Sequence, residues 1–296
     1  MKGFEYVTAK DARHAVALLA EHGPKAKILA GGTDLLVDLK SVPEAPSAVI
    51  DITRAADMKG IKVTDRGLVI GALATHSEIM RSPEIRERYP ALVDAAHSIG
   101  AIQTRSLGTL GGNLVTAVPS LDSGPALVAL EALVTIAGPA GSREIPLTEF
   151  FVGPRRNALK AGELLVDIVI PKKNLGKPAG FQKFGLRKGQ ALALVNTAAS
   201  FWLDPVKKVF VEPCIALGAV APVVIRAPKA EAYLAGKKVT PEAMAEAGRI
   251  AASEAKPISD FRASADYRRD LIAVLTKRSL EGALAVAERN QKESRK

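Results

Sequence analysis

The stretch Ile28-Leu29-Ala30-Gly31-Gly32-Thr33-Asp34-Leu35 reads as a short buried strand, a Gly-Gly turn and the start of a helix. Glycine adopts positive φ freely and leaves no Cβ between a ligand and the main chain. Successive N–H groups at such a turn form a concavity suited to an anion, and Thr33 adds a hydroxyl. Many strand–helix turns carry two glycines, so this stretch alone leaves a plain structural turn and a binding loop both open. Its flanks complete a βαβ-type unit. Asp11 N-caps a helix over 11–22 with the apolar face Ala12, Ala15, Val16, Leu18 and Leu19, and Gly23 ends it. The strand runs from Ala26 to Ala30, and Thr33 caps a brief helix from Asp34 to Lys40. Pro43 and Pro46 close that helix, and Val49 to Ile52 is the next strand.

A second glycine loop, Thr109-Leu110-Gly111-Gly112-Asn113, begins 79 positions after Ala30 (109 minus 30). No Gly-Lys-Ser/Thr follows either loop and neither matches GxGxxG, which excludes a P-loop and a Rossmann site. A pyrophosphate-containing cofactor lying between the loops would explain why both are present. Between them, residues 60–63 and 68–70 alternate around Asp65-Arg66-Gly67 as a hairpin. A helical region over 77–99 is interrupted at Pro83 and Pro90. Past the second loop come a helix from Ser123 to Leu133 and strands at 134–137 and 164–170. Pro171, Gly176, Pro178 and Gly180 mark a boundary at about residue 175. Three strands follow, Phe181 to Leu186, Ala193 to Leu203 and Val209 to Leu217, then helices over 228–235, 241–255 and 264–289. Strands followed by helices argue for an α+β module. The expected domains are 1–175, with subdomains of about 1–55 and 56–175, and 176–296.

At 296 residues two domains are also the expectation from length, at about 100–200 residues each. No apolar run approaches the ~20 residues of a membrane span. Met1-Lys2-Gly3-Phe4-Glu5-Tyr6 turns polar at once, so no signal peptide is expected and a reducing, cytoplasmic setting is. Cys214 is the single cysteine, which excludes an intrachain disulfide, a CxxC pair, a zinc knuckle and an iron–sulfur cluster held by this chain alone. His14, His22, His76 and His97 are scattered and read as surface or local polar residues, and no metal site is expected. The formal charge is +10, but aromatics are only 4% and the charge is dispersed, against a nucleic-acid binder. One stretch stands apart. No acidic residue lies between Asp167 and Asp204, while Lys172, Lys173, Lys177, Lys183, Arg187 and Lys188 do. A solvated linker and strand edge, or an anion site or docking face, both fit it.

The paired loops, followed by Pro119 and Asp122, resemble the FAD loops of the flavin subunit of the molybdenum hydroxylases. This is the medium chain of the carbon monoxide dehydrogenase and xanthine dehydrogenase family. The resemblance runs almost end to end through Tyr6, Ile70-Gly71-Ala72, Gln103-Thr-Arg-Ser-Leu-Gly, Glu163-Leu-Leu, Lys183 and Asp266-Tyr267-Arg268-Arg269. It implies a two-subdomain FAD-binding domain of the vanillyl-alcohol-oxidase (PCMH) type. A C-terminal domain of a three-stranded antiparallel sheet and a helical bundle would follow. Cofactor residues carried over are Ile28, Leu29, Ala30, Gly31, Gly32, Thr33, Asp34 and Leu35 in the first loop. Thr109, Leu110, Gly111, Gly112 and Asn113 match the second loop. Asp122 matches an acidic FAD ligand, Leu165 an apolar contact, and Lys183 a lysine near the flavin that would stabilise its anionic reduced form. Arg105-Ser106 stands where the family has Arg-Asn, a tolerable departure. The benzoyl-CoA reductase branch needs extra cysteines for a cluster, and this chain lacks them.

The resemblance further implies an oxidoreductase subunit that receives electrons from [2Fe–2S] clusters on a small partner and passes them to NAD, a quinone or oxygen. Molybdopterin would sit on a large partner that selects the substrate, in a dimer of heterotrimers. Such a complex would be cytoplasmic, reaching the inner face of the membrane only through its assembly. No catalytic acid–base pair or nucleophile is evident in this chain. Two alternatives are a stand-alone flavin-dependent oxidase and a non-redox assembly module that has lost FAD. The intact loops oppose the second, and the lack of a His or Cys suited to covalent flavin attachment beside the loops weakens the first.

Overall fold

A computed structural model describes residues 3–41 and 43–293; the Met1-Lys2 part of the polar N-terminal reading lies outside them. The first unit places β1 (Glu5–Thr8), α1 (Ala12–His22), β2 (Lys27–Leu29), α2 (Leu35–Asp38) and β3 (Ala48–Asp51) in sequence. Its sheet is parallel in the order β1-β3-β2, so β3 sits in the middle and is buried along its length. Asp11 caps α1 by accepting from the His14 N–H, and Gly23 closes it at φ 71°. The strand β1 has no apolar alternation and is recruited by pairing with β3. Thr33 does not cap α2: Asp34 occupies that position, with no side-chain hydrogen bond to the helix.

The second unit is an antiparallel sheet in the order β4-β5-β10-β6-β7. The hairpin is β4 (Ile61–Thr64) and β5 (Gly67–Gly71). Helices α3 (His76–Arg81), α4 (Pro83–Arg88) and α5 (Pro90–His97) follow, the latter two each starting on a proline. Proline fits the first helical turn because its missing N–H would be unpaired there anyway. Then come α6 (Ile102–Leu107), α7 (Leu110–Thr116) and α8 (Ser123–Ala129). The last is shorter than the sequence reading, because Leu133 already begins β6 (Leu133–Gly138). Next are β7 (Gly141–Pro146), α9 (Leu147–Phe150), β8 (Phe151–Gly153), β9 (Arg156–Asn157) and the central β10 (Leu164–Pro171). A bulge between Leu165 and Asp167 interrupts the pairing of β10 with β6.

The C-terminal part is an antiparallel sheet of β11 (Ala179–Phe184), β12 (Val195–Leu203), β13 (Phe210–Gly218) and β14 (Ile225–Arg226). The two-residue β14 adds an edge to the three strands read from sequence. Helices α10 (Pro228–Leu234), α11 (Pro241–Glu254) and α12 (Ala265–Glu293) cover one face. β12 is buried from Val195 to Phe201, and the strand period of two divides its side chains. Ala199 and Phe201 join the core under the helices, and Thr197 hydrogen-bonds Ser279 of α12. Ala198 joins the N-terminal core, and Ser200 donates to the Ala129 carbonyl at the end of α8. The sheet is therefore a wall shared by both cores.

The connection before β11 is packed rather than solvated, which corrects the linker reading for two of its residues. Asn174 and Lys177 are fully buried. The Tyr89 hydroxyl donates to the Asn174 carbonyl and accepts from the Gly176 N–H. Among the described residues no helix is long and apolar enough to cross a membrane. β11 is pressed against α12: a Cβ at Gly180 would lie 2.2 Å from the Ser279 carbonyl oxygen. Gly180→Ala should therefore cost about 1–3 kcal/mol, the usual range for overpacking, read as a lower urea midpoint with unchanged slope.

Candidate functional site

The glycine loops meet main chain to main chain. A Cβ built at Gly31 would lie 2.0 Å from the Leu107 carbonyl oxygen and 2.9 Å from the Gly108 α-carbon. One at Gly108 would lie 3.5 Å from the Thr33 hydroxyl and 3.6 Å from the His76 ring. Two polar contacts extend this seam. The Thr116 hydroxyl lies 3.2 Å from the Asp34 carboxylate, and Arg155 pairs with Asp38 at 3.0 Å.

The loops are not two copies of one device. In the first, Gly32 sits at φ 71°, and among the described residues the N–H groups of Gly31, Gly32, Thr33 and Asp34 have no acceptor. Residues Ile28 to Leu35 are half-buried or exposed. In the second, Gly111 and Gly112 lie inside α7 rather than in a turn, which corrects the sequence reading. Thr109 caps that helix, its hydroxyl accepting from the Gly112 N–H at 3.1 Å. Leu110 and Gly111 donate to the carbonyls of Ala74 and Ala72. Gly111 is wedged against Ala72, where a Cβ would meet another Cβ at 2.6 Å, whereas one at Gly112 would meet only the Thr109 hydroxyl, at 3.0 Å. Gly112 thus presents bare backbone, and the first loop presents donors. An elongated anionic ligand fits that combination.

Asp122 and Lys183 form an ion pair at 2.5 Å, with both side chains about nine-tenths buried. Lys183 also donates to the Ser98 carbonyl. Arg105 donates to the His97 and Ile99 carbonyls, so two cations cap the C-terminal end of α5, where the helix dipole favours them. Burial pushes the Asp122 carboxyl up, against the opposing pull of Lys183 and of hydrogen bonds from Lys183, Asn196 and Ser98. Lys183 is therefore a compensated cation, and reaches a neighbour as an N–H dipole more than as a net charge. Asn113 links the loop to this pair by accepting from the Ser123 hydroxyl at 2.6 Å. Leu165 is buried in β10 opposite Ile136. It is one residue from Val166, whose carbonyl accepts from the Ala72 N–H.

Sequence reasoning passed over Asn196, Ser123 and Thr116. Asn196 had a signal, as a polar residue inside an apolar strand. His76, read from sequence as a surface or local polar residue, is 2% exposed and so is not at the surface. Its Nδ1 is enclosed without a partner among the described residues, and burial and the nearby Arg105 push its pKa down to about 4.

Residues 2–173 match the family described as the FAD binding domain in molybdopterin dehydrogenase, and residues 181–283 match the CO dehydrogenase flavoprotein C-terminal domain. The chain belongs to this flavoprotein family. It is 32% identical to the carbon monoxide dehydrogenase medium chain of Hydrogenophaga pseudoflava, over 95% of this chain and 97% of that one. It is 34% identical to the 6-hydroxypseudooxynicotine dehydrogenase complex subunit alpha of Paenarthrobacter nicotinovorans, over 95% and 94%. A solved carbon monoxide dehydrogenase from Hydrogenophaga pseudoflava superposes with TM-score 0.89 at 34% identity, over 96% of this chain and 98% of that chain. Quinoline 2-oxidoreductase from Pseudomonas putida 86 gives 0.88 at 30%, over 97% and 100%. This flavoprotein is thus an FAD-binding oxidoreductase subunit of a molybdenum hydroxylase, and its relatives are chains of multi-subunit enzymes.

His76 is neutral in the fold, whereas an unfolded imidazole takes its proton near pH 6.5. The unfolded chain binds more protons between about pH 4 and 6.5, so stability is lost as pH falls through that window. The full loss is roughly 3 kcal/mol. Urea unfolding between pH 7 and 4 should show this slope, and His76→Gln should flatten it.

Proposed function

We propose that FAD lies across the seam between residues 28–35 and 109–113, with its pyrophosphate on the N–H groups of Gly31 to Asp34. The observation that carries this reading is that, among the described residues, those four donors are free beside a second loop whose N–H groups from Leu110 to Asn113 are spent. Thr33 adds a hydroxyl donor, and Gly112 allows the close approach. Asp122 and Lys183 would hold the flavin end of FAD, with Leu165 as an apolar contact and Asn113 tied to the same segment through Ser123. FAD supplies the exchange between two-electron and one-electron steps. The protein would supply the free N–H groups of the first loop and, at the buried Lys183, N–H groups that favour electron density on the ring. No residue of this chain is assigned a catalytic proton transfer.

The complex is read as this chain with a large molybdopterin subunit and a small [2Fe–2S] subunit, in a dimer of heterotrimers in the cytoplasm. In such a complex FAD held by this chain would take electrons from the clusters and hand them on to NAD, a quinone or oxygen. The chain is divided as a 1–175 FAD domain, in subdomains of about 1–55 and 56–175, and a 176–296 C-terminal domain. Support comes from the relatives, which include the putative xanthine dehydrogenase FAD-binding subunit of Escherichia coli, 32% identical over 95% of this chain.

Gly112→Val projects a side chain into the open face of α7 and should abolish FAD retention while thermal unfolding stays cooperative. FAD per polypeptide, read from flavin absorbance after desalting, decides it: stoichiometric FAD in the variant sinks the loop assignment. Asp122→Ala should weaken FAD binding roughly tenfold or more, as expected for loss of a hydrogen bond to a charged group.

A further inference from the structure

Asp122 is held from both sides by residues of the C-terminal half of the chain. Lys183 of β11 takes Oδ2, and Asn196 of β12 donates from Nδ2 to Oδ1 at 2.9 Å. The same Nδ2 donates to the Leu121 carbonyl at 3.1 Å. Asn196 is fully buried, and its Oδ1 is enclosed with no hydrogen-bond partner among the described residues. A flipped amide would set Oδ1 against a carboxylate and a carbonyl, oxygen to oxygen, so the chemistry of the partners fixes the orientation. The fold accepts an unsatisfied amide oxygen, a costly feature, to keep two donors on the segment that carries Asp122.

Gly218 provides the space. It is paired opposite Asn196 in the sheet, and a Cβ there would lie 2.1 Å from Asn196 Oδ1 and 2.9 Å from the Pro125 ring. Any other residue at 218 would displace the amide or the start of α8.

We infer that Asn196, seated by Gly218, is a positioning residue for the cofactor site: it locks the rotamer of Asp122 across the domain junction. FAD affinity and flavin potential then depend on the C-terminal sheet, although that sheet supplies no part of either glycine loop. This rests on the reading that Asp122 contacts FAD.

The test titrates FAD into the FAD-stripped full-length chain and measures Kd and the midpoint potential of the bound flavin. The proteins are wild type, Asn196→Ala, Gly218→Ala, Asp122→Ala and the Asn196→Ala/Asp122→Ala double variant. Asn196→Ala should raise Kd roughly tenfold, and Gly218→Ala should match it. In the Asp122→Ala background the same change should alter Kd by less than about twofold, because the effect travels through Asp122. The flavin potential should move in the same direction in Asn196→Ala and Asp122→Ala, which a general loss of stability would not produce. Cys214→Ala makes a cavity on the same face of the sheet, against the Val128 carbonyl. It serves as the folding control, lowering Tm with Kd unchanged. Wild-type Kd in Asn196→Ala beside a weakened Asp122→Ala overturns the inference alone, as does an equal loss in both backgrounds. Wild-type Kd in Asp122→Ala itself overturns the site reading beneath it.

Discussion

The α-carbon of Gly31 and the carbonyl of Leu107 approach until no methyl group fits between them, and this contact sets the distance between the first two units. Side-chain packing yields to substitution by repacking, but two backbones in contact have nothing to rotate away. The parallel sheet of the first unit is therefore keyed to the second unit at this backbone contact, beside the packing of α1 against β10 and β6. The half-exposed ties at Asp34–Thr116 and Asp38–Arg155 add direction more than energy, since exposed pairs contribute about 0–1 kcal/mol. The arrangement leaves the first loop's donors free because its backbone is spent on contact rather than on hydrogen bonds. A strand or helix would have consumed those N–H groups.

The second junction is chemical. A carboxylate buried as deeply as Asp122 stays charged only with compensation, and two of the compensating groups, Lys183 and Asn196, lie beyond residue 176. Buried pairs of this kind are weak evidence for stability, because desolvation offsets much of the Coulomb gain. Their value here is geometric. β12 alternates its side chains between two cores, with Asn196, Ala198 and Ser200 on the side of α8 and Thr197, Ala199 and Phe201 on the side of the C-terminal helices. The strand that carries Asn196 cannot slide by one residue without exchanging the two faces. Register in the C-terminal sheet is thereby converted into the position of one carboxylate at the start of α8.

Local chemistry made much of this legible. The prolines at 83 and 90 divide one helical region into separate helices, Asp11 and Gly23 bracket α1, and the hairpin turns at Asp65-Arg66-Gly67. What escaped depends on contacts distant in sequence. β1 and β7 carry no strand pattern of their own and exist because β3 and β6 offer paired edges. Gly111-Gly112 looked like the turn at Gly31-Gly32, yet sits in a helix because Thr109 caps it and Ala72 leaves no space at Gly111. Lys177 and Lys183 belong to a basic stretch that suggests solvent; a charge run reports composition, while burial is decided by what the sheet packs against. The relation between Asn196 and Gly218 has no local signature, since it joins two strands through register.

The counts that first framed the chain acquire a physical meaning from this geometry. The Cys214 thiol, pushed up to about 12 chiefly by burial, donates to the Val128 carbonyl and behaves as a core atom rather than a nucleophile. The +10 formal charge does not converge on the seam, where Asp122 cancels Lys183. Arg105 is turned onto the carbonyls of His97 and Ile99, and the first loop offers uncharged N–H groups. On the proposed placement of FAD, a site built from a neutral pair, a capped helix end and free amides would act through fixed dipoles. Dipoles at short range are less sensitive to ionic strength than a surface charge patch, whose reach is cut to about 8–10 Å by physiological salt. Such a site can hold an anionic cofactor and favour electron density on it without building a field that attracts unrelated anions to the same surface.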